Sequence, residues 1–139
     1  MSFTLRTDSF CISLNLKIFE SDIQYPSNTI MDVEVESEGF SGKASMDIDV
    51  KEFAKFAANL YDIYDRLTGE ARIAEPYGEQ MYISFKGDGR GHIHVNGMLC
   101  NIGNILKFEN VFDQTYLQDF SYTLKTTYEK YLMKQKCCP

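Results

Sequence analysis

The stretch DVKEFAKFAANLYDIYDRLTG, residues 49–69, decides how the rest of the chain is read. Asp49 is a natural N-cap, and Glu52 follows three positions on, the spacing of a capping box. Phe53, Phe56, Ala57, Leu60, Tyr64 and Leu67 recur at intervals of three or four, so they share one face of a helix. Neither Gly nor Pro interrupts the run before Gly69, which is expected to end it.

Both flanks of this helix read as strands. Upstream, Phe10, Ile12, Leu14, Leu16 and Ile18 alternate with Cys11, Ser13, Asn15 and Lys17. A loop over residues 21–29 contains Pro26, and Met31, Val33 and Val35 then alternate with Asp32, Glu34 and Glu36. Gly39 marks a turn, and residues 40–48 return as a further strand. Downstream, residues 71–75, 80–85, 92–100 and 105–112 are expected strands joined by tight turns. Asp113 or Thr115 then caps a second helix with Leu117, Phe120, Leu124, Tyr128 and Tyr131 along one face.

The expected fold class is α+β. About seven or eight strands form a largely antiparallel, curved sheet, and two amphipathic helices pack on one face of it. Setting Asp49 on Asp113 places Phe53 on Leu117 and Phe56 on Phe120. Any two amphipathic helices share that spacing, and the upstream strands align poorly, so the pattern alone does not establish a repeat.

A length of 139 residues fits one domain, 1–139, with an ordered core over about 2–132 and a frayed tail over 133–139. No apolar run approaches the roughly 18 residues of a spanning helix. The opening MSFTLRTDSF has no secretory pattern, so a cytoplasmic location is expected. The four cysteines include no CxxC pair; Cys11 and Cys100 are read as reduced core residues, and Cys137 and Cys138 as exposed tail thiols.

The net charge of −6 is unevenly spread. Residues 1–65 carry 12 acidic against 5 basic side chains, a balance of −7, while residues 66–139 balance at +1. Such a chain is not expected to grip nucleic acid through its phosphates, which requires a positive patch. A basic protein is the fitting partner. Asp32, Glu34, Glu36 and Glu38 form a stripe at strand spacing, about 6–7 Å between i and i+2 neighbours. One reading is a solvated edge strand that uses charge against aggregation; the other is a docking surface for a basic partner.

The segment KGDGRGHIHVNG, residues 86–97, invites three chemical readings. A phosphate loop would need a Gly-Lys-Ser/Thr ending that opens a helix, and a dinucleotide fingerprint would need the same helix. The residues after Gly91 instead alternate like a strand, so neither applies. His92 and His94 point to one strand face and could share a metal, yet the chain has only these two histidines. Further ligands would have to be acids such as Asp88 or Glu109. The simpler reading makes residues 87–91 a hairpin connection shaped by Gly89 and Gly91, with Gly97 marking a bulge. No nucleophile elbow or paired acid–base system is recognisable, so neither an enzymatic activity nor a cofactor is expected. The alternative remains a small-molecule or metal-binding domain using His92, His94 and an aromatic pocket.

Several of these pieces occur together in one family. GFSG (39–42), LTGEA (67–71), GDGRGHIHVNG (87–97), LKF (106–108) and DQTYL (113–117) resemble the WapI-type bacterial immunity proteins, over roughly residues 31–124. The resemblance implies a small cytoplasmic protein that binds and neutralises a polymorphic toxin, typically an RNA-cutting nuclease, without catalysing a reaction. It transfers no catalytic residues. It fixes no toxin-contacting positions either; from the residues themselves, Asp49, Gly69, Gly89, Gly91, Gly97 and Asp113 are read as structural, and the acidic stripe Asp32, Glu34, Glu36 and Glu38 as the expected contact.

Overall fold

The structure, a computed structural model, describes residues 2–77 and 80–136. The tail cysteines Cys137 and Cys138 lie outside the described residues. Four strands, β1 (Ser2–Arg6), β2 (Phe10–Ile18), β3 (Thr29–Ser37) and β4 (Phe40–Ile48), precede helix α1 (Val50–Arg66). Four more come after it: β5 (Thr68–Ala74), β6 (Tyr82–Asp88), β7 (His92–Asn101) and β8 (Asn104–Asp113). A 3-10 turn, Gln114–Leu117, then leads into α2 (Gln118–Lys136).

The α+β class and the antiparallel pairing are those expected. The strands, however, make two four-stranded meanders, β1-β2-β3-β4 and β5-β6-β7-β8, rather than one sheet. Each sheet is followed by one helix, so the two halves share an element order that their strand sequences do not display. Strand β1 is an addition: Phe3 and Leu5 are buried against the core, although two apolar residues in five make a short period.

One contiguous core unites the halves. Phe53 of α1 meets Tyr128 of α2 edge-on at 5.1 Å, and Phe3 of β1 closes on the same tyrosine at 5.8 Å. Phe56 of α1 reaches Phe85 of β6, and Phe10 of β2 stacks near Phe108 and Phe112 of β8. Such aromatic pairs add about 0.5–1.5 kcal/mol each beyond their area burial.

Helix α1 begins as expected, with the Asp49 carboxylate accepting from the Lys51 backbone N–H at 2.9 Å. Glu52 does not close a capping box; its carboxylate lies 3.4 Å from Lys55 Nζ. The helix ends before it reaches Gly69. Leu67 itself takes the left-handed cap, at φ 65°, and its N–H reaches the Ile63 carbonyl. Gly69 therefore belongs to β5, opposite Gly87. Ile63 takes the buried place at this end, while Tyr64 and Leu67 stay half-buried.

Gly97 does not mark a bulge, because β7 pairs without a break on either side of it. A Cβ there would stand 2.5 Å from Phe108 Cζ and 2.6 Å from the Tyr82 carbonyl oxygen, so the position is reserved for a ring that crosses the strand. Gly89 and Gly91 do shape the β6–β7 connection, at φ 83° and 98°.

Burial also leaves a titration signature. It pushes the Tyr128 hydroxyl up to about 12. Tyr131 is raised to about 12 as well, by burial first and then by its 2.8 Å hydrogen bond to the Glu20 carboxylate. Unfolded tyrosines ionise near pH 10. Between about pH 10 and 12 the folded chain therefore binds more protons than the unfolded one, and stability falls as pH rises through that window. Thermal melts are expected to hold level up to about pH 10 and to fall beyond it, with a shallower fall in Tyr131→Phe.

Candidate partner-binding surface

The acidic stripe does not lie on an edge. Strand β3 is internal, paired to β2 on one side and to β4 on the other. Met31, Val33, Val35 and Ser37 are buried, so alternation turns Asp32, Glu34 and Glu36 outward along the middle of the first sheet. Glu38 leaves this file. With Gly39 it forms the β3–β4 turn, and its φ of 50° places it in the left-handed region of a two-residue hairpin. Protection of a sheet edge is thus no explanation for three carboxylates in a central strand.

Their cross-strand neighbours are short, Lys43 excepted. Glu36, Glu34 and Asp32 face Cys11, Ser13 and Asn15 on β2, and Ser41, Lys43 and Ser45 on β4. Asp32 accepts a 2.6 Å hydrogen bond from Ser45, and Lys43 Nζ lies 3.8 Å from Glu34. Among the described residues, only Glu34 of the four carboxylates has an ion-pair partner. Both groups of that pair are largely exposed, which makes it worth at most about 1 kcal/mol. The file of carboxylates on β3 is thus flanked on the same outer face by Lys43 on β4, Lys17 on β2 and Arg6 on β1.

Small side chains beside long ones leave hollows. The larger, about 620 Å³, is bordered by Asp32, Glu34, Lys43, Ser13 and Asn15 on the sheet, and by Asn101 and Ile102 above it. Those last two residues belong to the tip of the β7–β8 hairpin, which reaches across from the second sheet. Asn101 Nδ2 approaches the Lys43 carbonyl at 3.4 Å and ties the tip to β4. A second hollow, about 260 Å³, opens beside Glu36 and Glu38, with Arg6 and Cys11 on its wall. All four stripe residues line one hollow or the other. Cys11 is consequently an outward-facing, half-buried thiol and not the core residue expected from the sequence. Cys100, also half-buried, borders the larger hollow.

His92 and His94 both lie on the exposed face of β7. His92 Nδ1 stands 3.3 Å from the Asp88 carboxylate, while His94 sits between Lys86 and Val111. Among the described residues no three His, Cys, Asp or Glu side chains gather in a metal-binding group. Asp88 instead organises the hairpin: its carboxyl accepts from the backbone N–H groups of Arg90 and His92, and the Arg90 bond does most to hold it below the usual carboxylate range. Asp113 caps the turn into α2 by accepting from Thr115, chiefly from its hydroxyl, which likewise lowers its carboxyl.

A model of the Immunity protein WapI-like family matches residues 5–132. The chain belongs to this family. The match extends the short motifs of residues 31–124 to the end of β1, to all of β2 and to α2 as far as residue 132. Two solved structures share the fold of this WapI-like chain. One, described as Trypanosoma bruciei MRP1/MRP2, aligns with 99% of this chain and 85% of its own, at TM-score 0.52 and 9% identity. The other, the plant transcriptional regulator PBF-2, aligns with 98% and 84%, at TM-score 0.54 and 8% identity. At such identities the likeness is one of fold. No curated protein matches the sequence. Among the described residues, no helix is long and apolar enough to cross a membrane.

The hairpin tip at Asn101 and Ile102 is the part of this surface that pattern reading overlooks. Its signal is NIGN (101–104), a two-residue turn with Ile where Asn or Gly is usual. Nothing in that local pattern connects it to a strand of the first sheet.

Proposed function

We propose that this WapI-like chain is a non-enzymatic immunity protein, and that it neutralises a cognate toxin domain by covering a basic surface with the outer face of its first sheet. The observation that carries the reading is the central placement of Asp32, Glu34 and Glu36 on an open face in a family of immunity proteins. Carboxylates in file repel one another, a cost to the free protein that an incoming cationic surface relieves. A toxin that acts on nucleic acid needs such a surface, because it must hold phosphates.

The test is calorimetry with the C-terminal domain of any large toxin-like protein found encoded beside this chain's gene. Tight binding that weakens as salt is added, with growth restored on co-expression, supports the reading. No heat at micromolar concentrations of both proteins overturns it. The double variant Glu34→Lys/Glu36→Lys is expected to lower the association rate about 10–100-fold at low salt, since opposed fields steer encounter. Its melting temperature should match the wild type within about 2 °C, as exposed charges contribute little to folding. An unchanged association rate would remove this face from the interface.

A further inference from the structure

Ile102 is costly to the free protein in two ways. Its side chain is 95% exposed, and its backbone φ is +48°. A β-branched residue is an outlier in the left-handed region, where Cβ crowds the following carbonyl. The other two-residue hairpin of this chain places Glu38 at the equivalent position, so an apolar residue is no requirement of the turn. With its side chain almost wholly in water, Ile102 gains little packing within the monomer to offset either cost.

Its position gives it a use. The tip borders the 620 Å³ hollow that Asp32 and Glu34 also line, and Asn101 joins it to the Lys43 carbonyl. A partner that lowers cationic side chains toward those carboxylates must meet Ile102 beside them. Tight interfaces pair such a charged floor with an apolar group that fills a pocket on the partner and keeps water out. We infer that Ile102 is the apolar anchor of the interface, and that it inserts into a hydrophobic recess next to the Lys/Arg cluster of the toxin domain. This inference rests on the immunity reading and assigns the contact that sets how long the complex lasts.

Ile102→Asn separates the two roles of the residue. Asn tolerates the left-handed turn, so the variant should melt about 2–5 °C higher than the wild type. Binding to the same C-terminal toxin domain, followed in real time, should weaken at least tenfold, with the loss in the dissociation rate. Val111→Thr, on the outer face of β8, should bind within twofold of the wild type. Ile102→Asn binding within twofold of the wild type would overturn the anchor and leave the immunity reading intact. A lower melting point in Ile102→Asn would overturn the cost argument on which the anchor depends. Failure of the wild type to bind would overturn both proposals.

Discussion

Gly97→Ala is expected to destabilise the protein by about 3 kcal/mol or more, near the upper end for a single added methyl group. The new Cβ would stand 2.5 Å from Phe108 Cζ and 2.6 Å from the Tyr82 carbonyl oxygen. Neither neighbour yields easily. The carbonyl belongs to β6 in the middle of a sheet, and the Phe108 ring is buried within 6.1 Å of the Phe10 ring. Chemical denaturation measures the loss directly. Phe108→Leu in the same background relieves one clash and leaves the other, so the double variant should recover part of the loss but not all of it. Full additivity of the two changes would show that the ring is not what Gly97 accommodates.

Asn28→Leu is expected to cost a similar amount, about 3–4 kcal/mol, although the side chains are close in size. Asn28 is buried where the loop from β2 meets the start of α1. Its Oδ1 accepts from the Val50 backbone N–H at 2.9 Å and from the Thr29 hydroxyl at 2.8 Å. Its Nδ2 donates to the Tyr25 carbonyl at 2.8 Å and to the Asp49 carboxylate at 3.0 Å, with Ile23 O at 3.3 Å. Leucine leaves these groups in place without their partner. The Asp49 cap of α1 should loosen with them, which hydrogen exchange of the Lys51 and Val50 amides would report. Protection at those amides equal to the wild type would mean that the cap does not depend on Asn28.

Asn28 also shows where sequence reading stops. It falls in a stretch legible only as a loop, because single-residue polar hubs leave no period behind them. Legibility came from repetition and punctuation: β2 and β3 from alternation, β4 as the return after the Gly39 turn, α1 from its stripe, and β6, β7 and β8 from short runs between turn residues. Strand β1 escaped because five residues hold only two apolar positions. Division of the strands into two sheets escaped because it depends on contacts such as Phe10 with Phe112, a hundred residues apart. The same limit applies to the candidate surface. Asp32, Glu34 and Glu36 were visible as a charged file, yet their central place was not, and Glu38 left the file only because the turn needed its backbone. Ile102 belonged to a turn that looked ordinary until the fold brought it over a distant strand.

The closure of Phe3 by Tyr128 has a consequence for biosynthesis. Strand β1 exposes an apolar face whose cover, Tyr128, is a side chain 125 positions later. Synthesis at about 5–20 residues per second puts several seconds between them. During that interval the nascent sheet lacks the aromatic cover that α2 supplies. Shortening α2 from its C-terminal end so that Tyr128 is lost should then prevent cooperative folding, which loss of the thermal transition would report.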